Sequence, residues 1–285
     1  MDIKKNISLE GYTTMRLPGS AQYLVRVKSR EDLLEAVSFS KKENLPFFIL
    51  GGGSNIIFPE HYKGVVIKME MIDFSIEEDD KFINISADAG VSLVLLSRKV
   101  TEMGGVGMEW GAGVPGSIGG AVRGNAGAFG NSTADFVTSV EVLNTEKMEI
   151  YSLQDFSFAY RESIFKKERD LIILSVKMQI PKGEGGVEKM KELLSLRREK
   201  HPHQPSAGSV FKNVGEKSVA LLIEQCGLKG TEKGGAQISE KHANFIINKG
   251  GATREDVDYL IDLIKRRVKE KFNLDIEEEV DRNIK

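Results

Sequence analysis

The stretch WGAGVPGSIGGAVRGNAGAFG, Trp110 to Gly130, decides how the rest of the chain is read. Its only bulky side chains are Trp110, Val114, Ile118, Val122, Arg123 and Phe129. Glycine loses more backbone freedom on folding than any other residue. So dense a run therefore opposes folding unless the backbone takes φ > 0 or closely approaches a ligand. A flexible linker is the plain alternative, but linkers are usually polar. Trp110, Pro115 and the apolar spacing of Val114, Ile118 and Val122 speak against one. The stretch reads as a compact ligand-cradling loop with a short helical turn. Gly111, Gly113 and Gly116, with Asp135 further on, match the dinucleotide fingerprint literally. The preceding GVGMEW makes a poor buried strand, however, and Pro115 removes an N–H from the anion-binding turn.

Upstream, the chain opens as β-α-β. Tyr23 to Val27 alternates apolar with polar, the pattern of a half-buried strand. Ser29 with Asp32 three residues on marks a helix start, and Leu33, Leu34 and Val37 share one face of a helix ending near Asn44. Pro46 to Leu50 is a short apolar strand that runs into Gly51-Gly52-Gly53-Ser54-Asn55. Bare backbone N–H groups there can converge on phosphate oxygens, with Ser54 and Asn55 adding side-chain donors. No lysine completes a P-loop, and Ile56 stands where a dinucleotide fingerprint needs a third glycine. A tight turn between strands would account for the same residues.

Downstream, Val65 to Lys68 and Phe82 to Ser86 are strands separated by an acidic loop, Glu77 to Asp80. Val91 to Met103 is a helix. Val140 and Val142, and Leu174, Val176, Met178 and Ile180, alternate with polar neighbours, which predicts α+β architecture. Arg161 beside Tyr160 could be an anion clamp or a solvated arginine near a strand end. Lys182 to Gly186 is a boundary, followed by a charged helix to Lys200 and a rigid loop through Pro202 and Pro205. His201 and His203 lack a third ligand, so no metal is expected. No G-x-S-x-G elbow surrounds Ser209, which excludes a hydrolase nucleophile of that kind. Val219 to Cys226 is a helix, Lys229 to Gly235 a loop, and Phe245 to Asn248 a strand. Thr253 and Asp256 cap a last helix whose stripe is Val257, Leu260, Ile261, Ile264 and Val268. Glu277, Glu278 and Glu279 read as a solvated surface.

The 285 residues suggest about two domains, and hydrophobic and charged fractions of 40% and 29% are those of a soluble globular protein. No apolar run approaches a membrane helix, the N-terminus has no signal-peptide core, and a net charge of −2 offers no broad basic surface for nucleic acid. Cys226 is the only cysteine. These features fit a reduced cytoplasm, with no membrane or nucleic-acid partner expected.

Several segments taken together resemble one family. They are Thr13 to Arg16, Leu50 to Asn55, Pro115 to Gly120, Asn125 to Ala128, Tyr160 to Ser163, Pro205 to Asn213, His242 to Ile246, and Glu279-Val280. In this order they resemble UDP-N-acetylenolpyruvoylglucosamine reductase, the flavoenzyme of bacterial peptidoglycan precursor synthesis, in its short form without the tyrosine-bearing insertion. The resemblance implies a two-subdomain FAD-binding module plus a smaller α+β substrate-binding domain. Residues 1–70 would form the first subdomain, with 279–285 returning to it; 71–185 would form the second, and 195–278 the substrate-binding domain. It also implies a monomer that uses NADPH as hydride donor and FAD as cofactor to reduce UDP-N-acetylglucosamine enolpyruvate. The implied FAD-binding residues are Gly51, Gly52, Gly53, Ser54, Asn55, Gly113, Val114, Pro115, Gly116, Ser117, Gly119, Gly120, Asn125 and Gly127. Tyr160, Arg161, Ser209, Lys212, Asn213 and Glu279 would bind substrate. Among these, Arg161 would meet charge building on the substrate carboxylate, Ser209 would protonate the enol, and Glu279, protonated, would assist. A flavin oxidase that shares the glycine loop would not be expected to carry this trio. The chain departs from the family's pattern at Val214, where proline is common, at Gly124, and at Asp281-Arg282, where arginine followed by an apolar residue is usual.

Overall fold

The computed structural model describes residues 2–284. Met1 and Lys285, at the outer limits of the expected first subdomain, lie outside the described residues. The strands in chain order are β1 (Ile3–Ser8), β2 (Ser20–Val27), β3 (Phe47–Leu50), β4 (His61–Met69), β5 (Phe74–Glu78), β6 (Phe82–Asp88), β7 (Gly127–Ala128) and β8 (Asn131–Ser132). They continue with β9 (Val137–Asn144), β10 (Glu149–Leu153), β11 (Leu171–Pro181), β12 (Ser206–Ser209), β13 (Glu232–Lys233), β14 (Ala236–Ile238) and β15 (Phe245–Asn248). The helices are α1 (Arg30–Lys42), α2 (Leu93–Glu102), α3 (Ile118–Gly124), α4 (Ile164–Lys167), α5 (Gly186–Lys200), α6 (Val219–Gln225) and α7 (Arg254–Phe272). The architecture is α+β.

The chain divides into two compact units. The first holds residues 2–3, Val25–Gly52 and Val66–Arg197; the second holds Lys4–Leu24, Gly53–Val65 and residues 198–284. One four-stranded sheet has the order β1-β2-β4-β3. The first unit is built on a five-stranded sheet of order β10-β9-β11-β6-β5. Along β11, Val176, Met178 and Ile180 are buried while Lys177 and Gln179 face out, and Val176 lies opposite both Ala87 and Val140. Helix α2 buries Leu93, Leu96 and Val100 and starts at Ser92, whose hydroxyl accepts the Leu95 N–H.

In the second unit a sheet of order β12-β15-β14-β13 packs with α6 and α7. Thr253 and Asp256 form a reciprocal capping box, the Thr253 hydroxyl accepting the Asp256 N–H at 3.2 Å and the Asp256 carboxylate the Thr253 N–H at 3.0 Å. Val257, Leu260, Ile261, Ile264 and Val268 are fully buried, each stabilising by about 2 kcal/mol relative to exposure. This stripe packs with Ile57, Phe211, Ile223, Ile246 and Val280, so a strand pair, two helices and the end of the chain share one core.

Two sequence expectations require correction. Glu77 and Glu78 are not loop residues: they lie in β5, opposite Asn84 and Ile83, and only the turn at Asp79-Asp80 is irregular. Edge strands tolerate charge because one face meets water. Within the expected loop Lys229 to Gly235, Glu232 and Lys233 pair with Gln237 and Ala236 as a short hairpin.

Candidate functional site

In the first unit the two glycine-rich segments meet. A Cβ on Gly51 would stand 2.4 Å from Ser117 Oγ, and one on Gly52 would stand 2.6 Å from Gly116 Cα. Glycine is therefore required here by the close approach of two backbones. Ser117 is the N-cap of α3 and accepts the Gly120 N–H at 3.3 Å; Ile118 N–H binds Val91 O at 2.8 Å and Gly119 N–H binds Ala89 O at 2.9 Å. Gly111 and Gly113 belong to a 3-10 turn, Glu109–Gly113, with no strand before it, so the apparent dinucleotide fingerprint is a coincidence of spacing. Val114 follows as its cap, donating to Gly111 O at 3.1 Å, and Pro115 leads into Gly116. Among the described residues no protein acceptor takes the N–H of Gly52 or Gly116. Beside them, the Lys68 ammonium on β4 donates to Gly51 O. Two open backbone donors, no room for side chains and one cation suit an anionic diphosphate, so this cradle fits the phosphate portion of FAD.

Asn125, the left-handed C-cap of α3, ties the loops together: its amide donates to Ala159 O at 2.8 Å and its carbonyl accepts the Ala134 N–H at 3.0 Å. Arg161 occupies a left-handed conformation (φ 58°) in a tight turn closed by two hydrogen bonds between Ala159 and Glu162. Such a backbone is uncommon for a non-glycine residue and clusters at functional positions. The Arg161 guanidinium lies 5.3 Å from the centre of the Tyr160 ring and donates to Gly127 O at 2.8 Å. Ser163 Oγ donates to Arg123 O at 2.6 Å, fastening the turn to α3.

The second unit gathers the remaining expected residues. Gly53 takes φ +65°, and a Cβ on it would meet Tyr12 O at 2.1 Å; its carbonyl accepts the Thr14 N–H at 3.0 Å. Thr14 Oγ1 donates to Ser206 O at 2.7 Å, and the buried Asn248 amide donates to Met15 O and Arg16 O. The Thr13 to Arg16 segment is thus anchored to β12 and β15. Ser209 ends β12 just after a bulge at Gly208 (φ 79°). Beyond it, Val210 O accepts the Glu279 N–H at 2.8 Å, and the Asn55 amide donates to Glu279 O at 3.0 Å. Ser209, Asn55 and Glu279, distant in sequence, are neighbours along the backbone ladder. Lys212 is buried and pairs with Glu277 at 2.6 Å, while the Asn213 carbonyl accepts the Val219 N–H at the start of α6, at 3.1 Å. Ser54 lies near Gly208, its carbonyl 3.9 Å from where a Cβ would stand there. His201, His242 and Phe245 form an aromatic cluster, with ring centres 4.8–5.2 Å apart.

Residues 21–151 match the model of an FAD binding domain, and residues 200–283 that of the UDP-N-acetylenolpyruvoylglucosamine reductase C-terminal domain. The reductase of that name from Caldanaerobacter subterraneus is 39% identical over 96% of this chain and 91% of its own length. The one from Petrotoga mobilis is 41% identical over 98% of this chain and 94% of its own length. The crystal structure of the Thermus caldophilus reductase superposes with a TM-score of 0.83 at 31% identity, covering 99% of this chain and 98% of that one. The chain belongs to the UDP-N-acetylenolpyruvoylglucosamine reductase family. It is accordingly an oxidoreductase with an FAD-binding domain.

The departures from the family pattern have physical reasons. Val214 donates its N–H to Lys217 O at 3.2 Å in a tight turn, a bond that proline would remove. At Gly124 a Cβ would meet nothing within 4 Å, so larger residues fit there as well. Arg282, where the family often has an apolar residue, reaches Glu278 at 2.5 Å and Asp258 at 2.9 Å, with Asp262 at 3.4 Å. No periodic pattern marks these partners, because α7 presents Asp258 and Asp262 opposite a segment with no regular structure.

Arg282→Met is expected to destabilise the protein by about 1–3 kcal/mol in urea unfolding at neutral pH, since it removes the cation that Glu278 and Asp258 share and leaves them only Lys265 and Arg254. Burial raises the Glu278 pKa, but hydrogen bonds from Arg282 and Lys265 outweigh it and hold this carboxyl below its ordinary value. A depressed folded value means that the pair's contribution is complete above the unfolded value and is lost as pH falls through the folded one. The gap between wild type and variant should therefore shrink on acidification; a gap that persists once Glu278 is protonated would contradict the assignment.

Proposed function

We propose that this protein catalyses NADPH-dependent reduction of UDP-N-acetylglucosamine enolpyruvate to UDP-N-acetylmuramate, a cytoplasmic step of peptidoglycan precursor synthesis carried out by a monomer. The single observation carrying the mechanism is the ladder that brings Ser209-Val210 alongside Glu279, whose N–H donates to Val210 O and whose carbonyl accepts from the Asn55 side-chain amide. FAD, when bound, supplies the hydride relay between the nicotinamide and the enolpyruvyl double bond.

The chain's own residues supply binding and proton chemistry. As hydride reaches the double bond, negative charge moves onto the substrate carboxylate. A permanently charged guanidinium already fixed in place stabilises that charge without reorganising. Arg161 suits this task, since its turn and its bond to Gly127 O restrict where the fork can point. Ser209 would give the proton to the adjacent carbon; a hydroxyl is a weak acid, so it acts only at a preorganised contact with a basic carbon. Glu279 would assist that transfer in its protonated form, as a hydrogen-bond donor. The Lys212 ammonium, shared with Glu277, would face the substrate's anionic groups, and Tyr160 and Asn213 would frame them.

No membrane or nucleic-acid partner belongs to this reading. No described helix is long and apolar enough to cross a membrane. Incubating the purified protein with NADPH and the enolpyruvyl substrate without oxygen should yield the lactyl ether, seen by mass spectrometry as a gain of two hydrogens. NADPH consumption that requires oxygen and leaves the substrate unchanged would instead mark an oxidase.

A further inference from the structure

Lys68 stands out among the cations of the first unit. It lies on β4, and its ammonium donates to the carbonyl of Gly51, the first residue of the glycine cradle. Burial lowers its pKa, and the charge on Glu70 only partly counters this. Glu70 is itself committed to Arg26 at 2.7 Å. The protein thus holds a partly buried ammonium against a neutral carbonyl, an arrangement that an added anion would stabilise. The neighbouring donors, the N–H groups of Gly52 and Gly116, are neutral dipoles. A diphosphate brings formal negative charge that such dipoles orient but do not neutralise.

We propose that Lys68 is the counter-charge for the FAD diphosphate, and that it sets the preference of this site for FAD over flavins without a diphosphate. The inference rests on the FAD reading of the cradle and adds a cation from outside both glycine segments. Lysine at 68 also explains why the turn can dispense with a P-loop lysine of its own: the charge comes from the adjacent strand.

Lys68→Gln separates charge from scaffolding, because the glutamine amide can still donate to Gly51 O while carrying no charge. The test titrates flavin-freed protein with FAD and with riboflavin, following flavin fluorescence, for wild type, Lys68→Gln and Lys68→Arg. The Gln variant should bind FAD about 10–100-fold more weakly, the range of a lost charge-assisted contact, with riboflavin affinity changed by less than about 2-fold. Lys68→Arg should recover most of the FAD affinity. FAD binding should also weaken with added salt more steeply in wild type than in Lys68→Gln. Equal weakening of FAD and riboflavin would show that Lys68 only supports the loop, and unchanged FAD affinity would show that it does nothing there; either overturns the proposal. Wild-type protein that takes up neither flavin would overturn the FAD reading and this inference with it.

Discussion

Ser209→Ala should slow reoxidation of the reduced protein by UDP-N-acetylglucosamine enolpyruvate by about 10²–10⁴-fold, the usual contribution of a positioned general acid, and leave reduction by NADPH unchanged. The backbone around Ser209 is secured independently of its hydroxyl. Ser209 pairs with Phe245 across the sheet, Val210 N–H binds Asn244 O at 2.8 Å, and Val210 O accepts the Glu279 N–H. Alanine would therefore delete one oxygen and little else. Stopped-flow spectra of the two half-reactions check this. Equal losses in both would make Ser209 a structural residue.

Gly53→Ala should have the largest effect on stability, about 3 kcal/mol or more. Alanine at φ +65° carries an intrinsic backbone penalty, and its Cβ would come 2.1 Å from Tyr12 O and 3.0 Å from Thr13 Cα. The obstruction is backbone, which a rotamer change cannot relieve. The segment that would have to move is also the one anchored to Ser206 and Asn248. Gly124→Ala is the matched control: it adds the same methyl in a helix, into open space, and should be neutral or stabilising by up to about 1 kcal/mol. Urea denaturation of the pair checks both. Similar shifts for the two variants would refute the steric account.

Much of the fold was legible because it follows local rules. Ser29 and Thr253 cap helices where spacing placed them, and Leu174 to Ile180 forms a strand as its alternation required. Helix α3 sits inside the glycine-rich stretch as the short helical turn expected there, and a 3-10 turn at Glu109–Gly113 precedes it. The short strands were not legible. Ser206–Ser209 owes its extended form to pairing with β15 and carries a glycine bulge, so its own residues give no β signal. Glu232-Lys233 is extended because it pairs with β14.

The site was partly legible for the same reason. Glycine at 51 and 52 signals close approach, but which surface approaches is a long-range fact: here it is Gly116 and Ser117. The run Glu277 to Glu279 reads as solvated surface, yet its members differ. Glu277 is exposed and pairs with Lys212, Glu278 is 13% exposed and pairs with Lys265 and Arg282, and Glu279 is laced to Val210 and Asn55 through its backbone. Three identical letters cannot announce three environments set by α7 and β12. Lys68 escaped notice because a lone lysine in a strand ordinarily faces water.

The most direct test of the whole account is a pair of anaerobic absorbance measurements on purified protein. The account predicts yellow protein, bleaching of the bound flavin on addition of NADPH, and full return of the colour on addition of UDP-N-acetylglucosamine enolpyruvate with oxygen excluded. A bleached protein whose colour returns only when air is admitted would contradict it.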